Sequence, residues 1–137
     1  MARILIVEDS PAMRTYVRSA LEGAPELGDD LELVEASSGF DALRLLPRNV
    51  YDLVITDINM PDINGLELVR FVRQNAHLQR IALLIISTQS SEKDKARALA
   101  LGADAFLAKP FTPEMLRSAV ARSLGARGSQ APEGSGA

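Results

Sequence analysis

Five short apolar runs set the limits on what this chain can fold into: Ile4–Val7, Leu31–Val34, Leu53–Ile55, Ile81–Ile86 and Ala105–Ala108. Each is too short for a helix and too uniformly apolar for a strand with one wet face, so most read as strands covered on both sides. Strands of that kind belong to parallel sheets, where crossover connections lay helices over both faces. The intervening segments supply the helices. Met13, Val17, Ala20 and Leu21 make one apolar stripe at helical spacing, Leu68, Val69 and Val72 another, and Met115, Leu116, Ala119 and Val120 a third. Five strands alternating with five helices predict an α/β domain.

Start and stop signals fall where this alternation needs them. Ser10-Pro11 and Thr112-Pro113-Glu114 place a capping hydroxyl before a proline at the first helical position, Ser91 with Asp94 resembles a capping box, and Gly102 follows Ala96–Leu101 as a stop. The arginines at 14, 18, 70 and 73 read as wet helix faces, and His77, in a polar stretch, as a solvated residue. From Gly125 the sequence loses periodicity, so residues 1–124 are expected to form the domain and 125–137 a flexible Gly/Ala/Ser/Pro tail or linker stub.

In an open α/β sheet, ligands collect beyond the carboxyl ends of the strands. The apolar runs end there on polar residues: Glu8-Asp9 after the first, Asp57 after the third, Ser87-Thr88 after the fourth and Lys109 after the fifth. Two carboxylates about 4 Å apart repel by roughly 4 kcal/mol at an effective dielectric near 20, so such a gathering calls for a cation. The chain has no cysteine, and oxygen ligands point to a hard ion, with Mg²⁺ suiting a small acidic cluster that leaves room for a phosphate oxygen. An acid beside that metal, faced by an ammonium and a hydroxyl, is arranged to become an aspartyl phosphate, with Asp57 as nucleophile. Lysine is rare here, at 93, 95 and 109 only, which sets Lys109 apart from generic surface charge.

The acidic pair Glu8-Asp9, the segment TDINMPDINGLEL around Asp57, Ser87 after the fourth strand and AKPF at 108–111 together resemble the receiver domain of the two-component response-regulator family, with small chemotaxis-type receivers the most similar. The resemblance covers residues 2–124. It implies a flavodoxin-like, doubly wound, three-layer α/β/α fold with strand order 2-1-3-4-5. It also implies that Asp57 accepts phosphate from a histidine kinase and that Glu8, Asp9, Asp57 and the backbone carbonyl of Asn59 surround Mg²⁺. By the same resemblance Ser87 bonds the phosphoryl group, Phe106 is the aromatic switch, Asn59 and Gln89 tune phosphate lifetime, and the Lys109–Pro110 bond is cis. Glu8 stands where the family more often has aspartate, Ser87 where threonine is commoner, and Phe106 where tyrosine is usual. The downstream protein target is expected on the face made by the fourth helix, fifth strand and fifth helix.

Three other readings share parts of the pattern. The chain can be the receiver part of a larger response regulator or hybrid kinase. A haloacid-dehalogenase-type phosphatase also forms an aspartyl phosphate, but its general acid two residues on is here Asn59. A flavodoxin-like flavin binder needs a hydroxyl- and glycine-rich loop after the first strand, where this chain has EDSP. The receiver reading makes the protein no turnover enzyme, only a catalyst of its own phosphorylation and dephosphorylation. A net charge of −3 argues against direct nucleic-acid binding. The absence of a long apolar segment argues against membrane insertion and for a soluble, cytoplasmic protein.

Overall fold

The apolar runs become one parallel sheet. The computed structural model describes residues 2–28, 30–88 and 92–136, the last eleven as backbone only. Strands β1 (Arg3–Val7), β2 (Glu32–Ala36), β3 (Leu53–Asp57), β4 (Ala82–Ser87) and β5 (Ala105–Ala108) lie in the order β2-β1-β3-β4-β5. Helices α1 (Pro11–Glu22), α2 (Gly39–Leu45), α3 (Gly65–Gln74), α4 (Glu92–Leu101) and α5 (Pro113–Gly136) alternate with them, and 3₁₀ turns at Pro25–Leu27 and Leu46–Arg48 fill two connections. The five-stranded, flavodoxin-like order expected from the resemblance is the order found.

Side-chain alternation along the central strands divides the interior in two. Leu5, Val7, Val54, Leu83 and Ile85 face one core, which α2, α3 and α4 cover with Ala42, Leu68, Val69, Val72 and Ala98. Ile4, Ile6, Leu53, Ile55, Leu84 and Ile86 face the other, covered by Val17 and Leu21 of α1 and Leu116 and Val120 of α5. This is the three-layer arrangement, with β1, β3 and β4 buried on both faces. Strand β2 departs from the expectation of burial on both sides, because it is an edge strand whose Glu32 and Glu35 are exposed.

The caps at Ser10 and Thr112 form, accepting from the amides of Met13 and Met115. Gly102 ends α4 with φ at +118°, a conformation that favours glycine. Ser91 lies outside the described residues. The backbone of α5 is helical from Pro113 to Gly136.

Candidate functional site

The strand order brings together the carboxyl ends of β1, β3, β4 and β5, and with them the polar residues that end the apolar runs. Asp57 is the last residue of β3, paired in register with Ile86, and Ser87 closes β4. The Ser87 carbonyl accepts the Lys109 backbone N–H at 2.8 Å, fixing the start of the β5–α5 loop against β4. The Lys109–Pro110 peptide bond is cis.

Lys109 is the hub. Its Nζ donates to Glu8 Oε1 at 2.9 Å and to Asp57 Oδ2 at 3.0 Å. Glu8 is 1% exposed and Asp57 7%, so this ammonium neutralises two carboxylates that water cannot. Burial pushes the Glu8 carboxyl above its ordinary range, against the opposing Ser10 amide and Lys109. Burial works against the Lys109 charge too, but its hydrogen bonds to Glu8 and Asp57 outweigh that and hold it above the usual lysine range.

Glu8 Oε2 accepts the Ser10 N–H at 3.0 Å, so both of its oxygens are engaged. Asp57 Oδ1 takes only a longer bond from the Asn59 N–H, at 3.3 Å. Asp9 is exposed, and one carboxylate oxygen from each of Glu8, Asp9 and Asp57 lies within 4.8 Å of the others. Octahedral Mg²⁺ with bonds of 2.0–2.1 Å spaces its ligand oxygens roughly 2.9–4.2 Å apart, so an all-oxygen cluster of this size fits a hydrated Mg²⁺.

Several placements differ from the sequence reading. Arg14, Arg18 and Arg73 are not wet helix faces. Arg14 donates to the Glu8 carbonyl at 2.7 Å and to Glu35, Arg18 donates to the Leu33 carbonyl at 2.9 Å and to Glu35, and Arg73 reaches the carbonyls of Gly102, Gln79 and Ile81 as well as Asp104. Helical periodicity tells which face a residue occupies and is silent about the loop carbonyls and carboxylates that a long side chain reaches. Phe106 pairs with Ile85 and packs, half-buried, against the core under α2, α3 and α4. Gln89 lies outside the described residues.

A family model, the response regulator receiver domain, matches residues 4–121. The chain belongs to that family. This receiver is 35% identical over 124 residues to the chemotaxis protein CheY homolog of Campylobacter jejuni, covering 90% of this chain and 92% of that one. The chemotaxis response regulator CheY4 of Vibrio cholerae shares its structure at a TM-score of 0.81 and 33% identity, over 90% of this chain and 98% of that one. The signal receiver domain of a histidine kinase from Syntrophus aciditrophicus matches at a TM-score of 0.77 and 35% identity, over 92% of each. The receiver is therefore a phosphoryl-accepting switch of two-component signalling, of a family that binds Mg²⁺ at an acidic cluster and works with histidine kinases and downstream targets. No described helix is long and apolar enough to cross a membrane.

Proposed function

We propose that Asp57 is the phosphorylated residue and that Mg²⁺ is held by Asp9 and Asp57, with Glu8 and the Asn59 backbone carbonyl completing the protein's share. The observation that carries this reading is a nearly buried carboxylate at the end of a central strand with an ammonium 3.0 Å away. Glu8, already bonded to Lys109 and Ser10, serves mainly as a fixed negative charge, which leaves Asp9 and Asp57 as the freer ligands. Bound Mg²⁺ supplies positive charge to the equatorial oxygens of the transferring phosphoryl group.

An Asp57 carboxylate oxygen attacks the phosphorus of a kinase phosphohistidine, forming the O–P bond while the P–N bond breaks and the imidazole leaves with the electron pair. Lys109 neutralises the phosphoryl oxygens, and the Ser87 hydroxyl donates to one of them. Hydrolysis by water restores the carboxylate, with Asn59 and Gln89 setting its rate. The receiver catalyses these two steps on itself and turns over no other substrate. A phosphohistidine donor draws on ATP, which places the exchange in the cytoplasm.

Engagement of Ser87 draws the β4–α4 loop inward, repacks Phe106 and alters the face of α4, β5 and α5, where a downstream protein binds rather than nucleic acid. Uneven packing supports this route: α4 buries only Ala98 among its described residues, whereas α3 buries Leu66, Leu68, Val69 and Val72 along with Gly65. Beryllium fluoride with Mg²⁺, a phosphoryl mimic, should shift the amide resonances of Glu92–Leu101 and Phe106 together with that of Asp57. Shifts at Asp57 that leave α4 and Phe106 unmoved would refute the route.

A further inference from the structure

At the opposite end of β3 and β4 from Asp57 and Ser87, the Leu46–Arg48 turn, the residues leading into β3 and the segment after α3 enclose a half-open cavity of about 720 Å³. That volume lies in the range of small-molecule sites. A five-residue strand separates it by about 16 Å from Asp57. Its walls are apolar, from Leu46, Val50, Tyr51, Phe71, Leu78 and Ile81. Val50 is 81% exposed and Phe71 39%, so two apolar side chains stand in water at its mouth.

Charge gives the cavity a sign. Arg48, Arg80 and His77 line it and no carboxylate does, in a chain whose net charge is −3. Arg3, Arg14, Arg18, Arg44, Arg73 and Arg117 each face an acid, whereas Arg48 and Arg80 have neither ion pair nor hydrogen bond among the described residues. Tyr51 contributes to the wall as a buried residue, 3% exposed, whose hydroxyl lies beneath the surface with no hydrogen-bond partner among the described residues.

We propose that this cavity binds a small organic anion with an apolar, ring-sized body, its acid group facing Arg48 and Arg80 and its body lying against Val50 and Phe71. The site is separate from the phosphoryl-accepting site, and occupancy does not depend on Asp57. The test is an amide-resolved NMR titration of the full chain with anilinonaphthalene sulfonate as the anionic probe and phenylnaphthylamine as its uncharged counterpart. The anion should perturb, saturably, the amides of Arg48–Tyr51 and Asn75–Ile81. It should bind the Asp57→Asn variant as it binds the parent. The uncharged probe, and the anion on an Arg48→Glu, Arg80→Glu double variant, should each bind roughly tenfold more weakly. Both arginines are exposed, so the double variant should keep the parent's amide spectrum elsewhere. Perturbations scattered over the surface or centred elsewhere, or equal affinity for the uncharged probe, would overturn the proposal.

Discussion

Replacing Gly65 with alanine tests how tightly the chain around Asp57 is held. Gly65 opens α3, and its N–H donates to the Ile58 carbonyl at 2.9 Å, clamping the helix start onto the backbone that leaves β3. A methyl group there would collide with the Asp57 carbonyl oxygen and sit 2.9 Å from the Asp57 carbonyl carbon and 3.0 Å from the Ile58 Cα. Ordinary contact begins near 3.4 Å and all three neighbours are backbone, so α3 must retreat or the Asp57 peptide must turn by about 1 Å. The capping box of Asn64 and Glu67 resists the retreat. Overpacking of this kind costs about 1–3 kcal/mol, offset by up to about 1 kcal/mol from alanine's better helix propensity. We expect a net loss of about 1–2 kcal/mol in urea unfolding. A 1 Å displacement of a reacting group can lower a rate by about a hundredfold, so labelling by a small acyl phosphate should slow by roughly one to two orders of magnitude. Gly23→Ala is the control, because nothing lies within 4 Å of the added methyl. If Gly65→Ala matched the parent in both stability and labelling rate, the clamp would be irrelevant and the reasoning refuted.

Lys109→Ala leaves Glu8 and Asp57 buried without their shared cation, which should cost about 3 kcal/mol of metal-free stability in urea. Added Mg²⁺ should then stabilise the variant more than it stabilises the parent, and equal stabilisation would contradict the shared-charge account. Arg73→Ala removes hydrogen bonds to the Gly102, Gln79 and Ile81 carbonyls and the ion pair to Asp104, so unfolding by urea should show a loss of about 3 kcal/mol or more, where a wet surface arginine would show almost none.

The central strands were legible because burial on both faces leaves an unbroken run of Ile, Val and Leu, a pattern that survives without knowledge of the neighbours. Asp57 and Lys109 were legible for a related reason: a charge directly after such a run must emerge at the sheet's edge. The edge strand β2 was harder to place, since its two glutamates depend on which strand ends the sheet. The capping box at Asn64 and Glu67 follows a spacing readable in the sequence, N-x-x-E before an apolar stripe. Arg14, Arg18 and Arg73 were not legible. Their partners lie 21, 17 and 31 residues away, and one-dimensional periodicity carries no record of them.

The most direct test of the whole account is the intact mass of the full chain after treatment with a small acyl phosphate, with and without Mg²⁺. The parent should gain the mass of a single phosphoryl group only when Mg²⁺ is present, and Asp57→Asn should gain none. Labelling of Asp57→Asn to the parent's extent would mean that the buried carboxylate beside Lys109 is not where this protein takes its phosphate, and labelling of the parent that ignores Mg²⁺ would contradict the metal's part in the transfer.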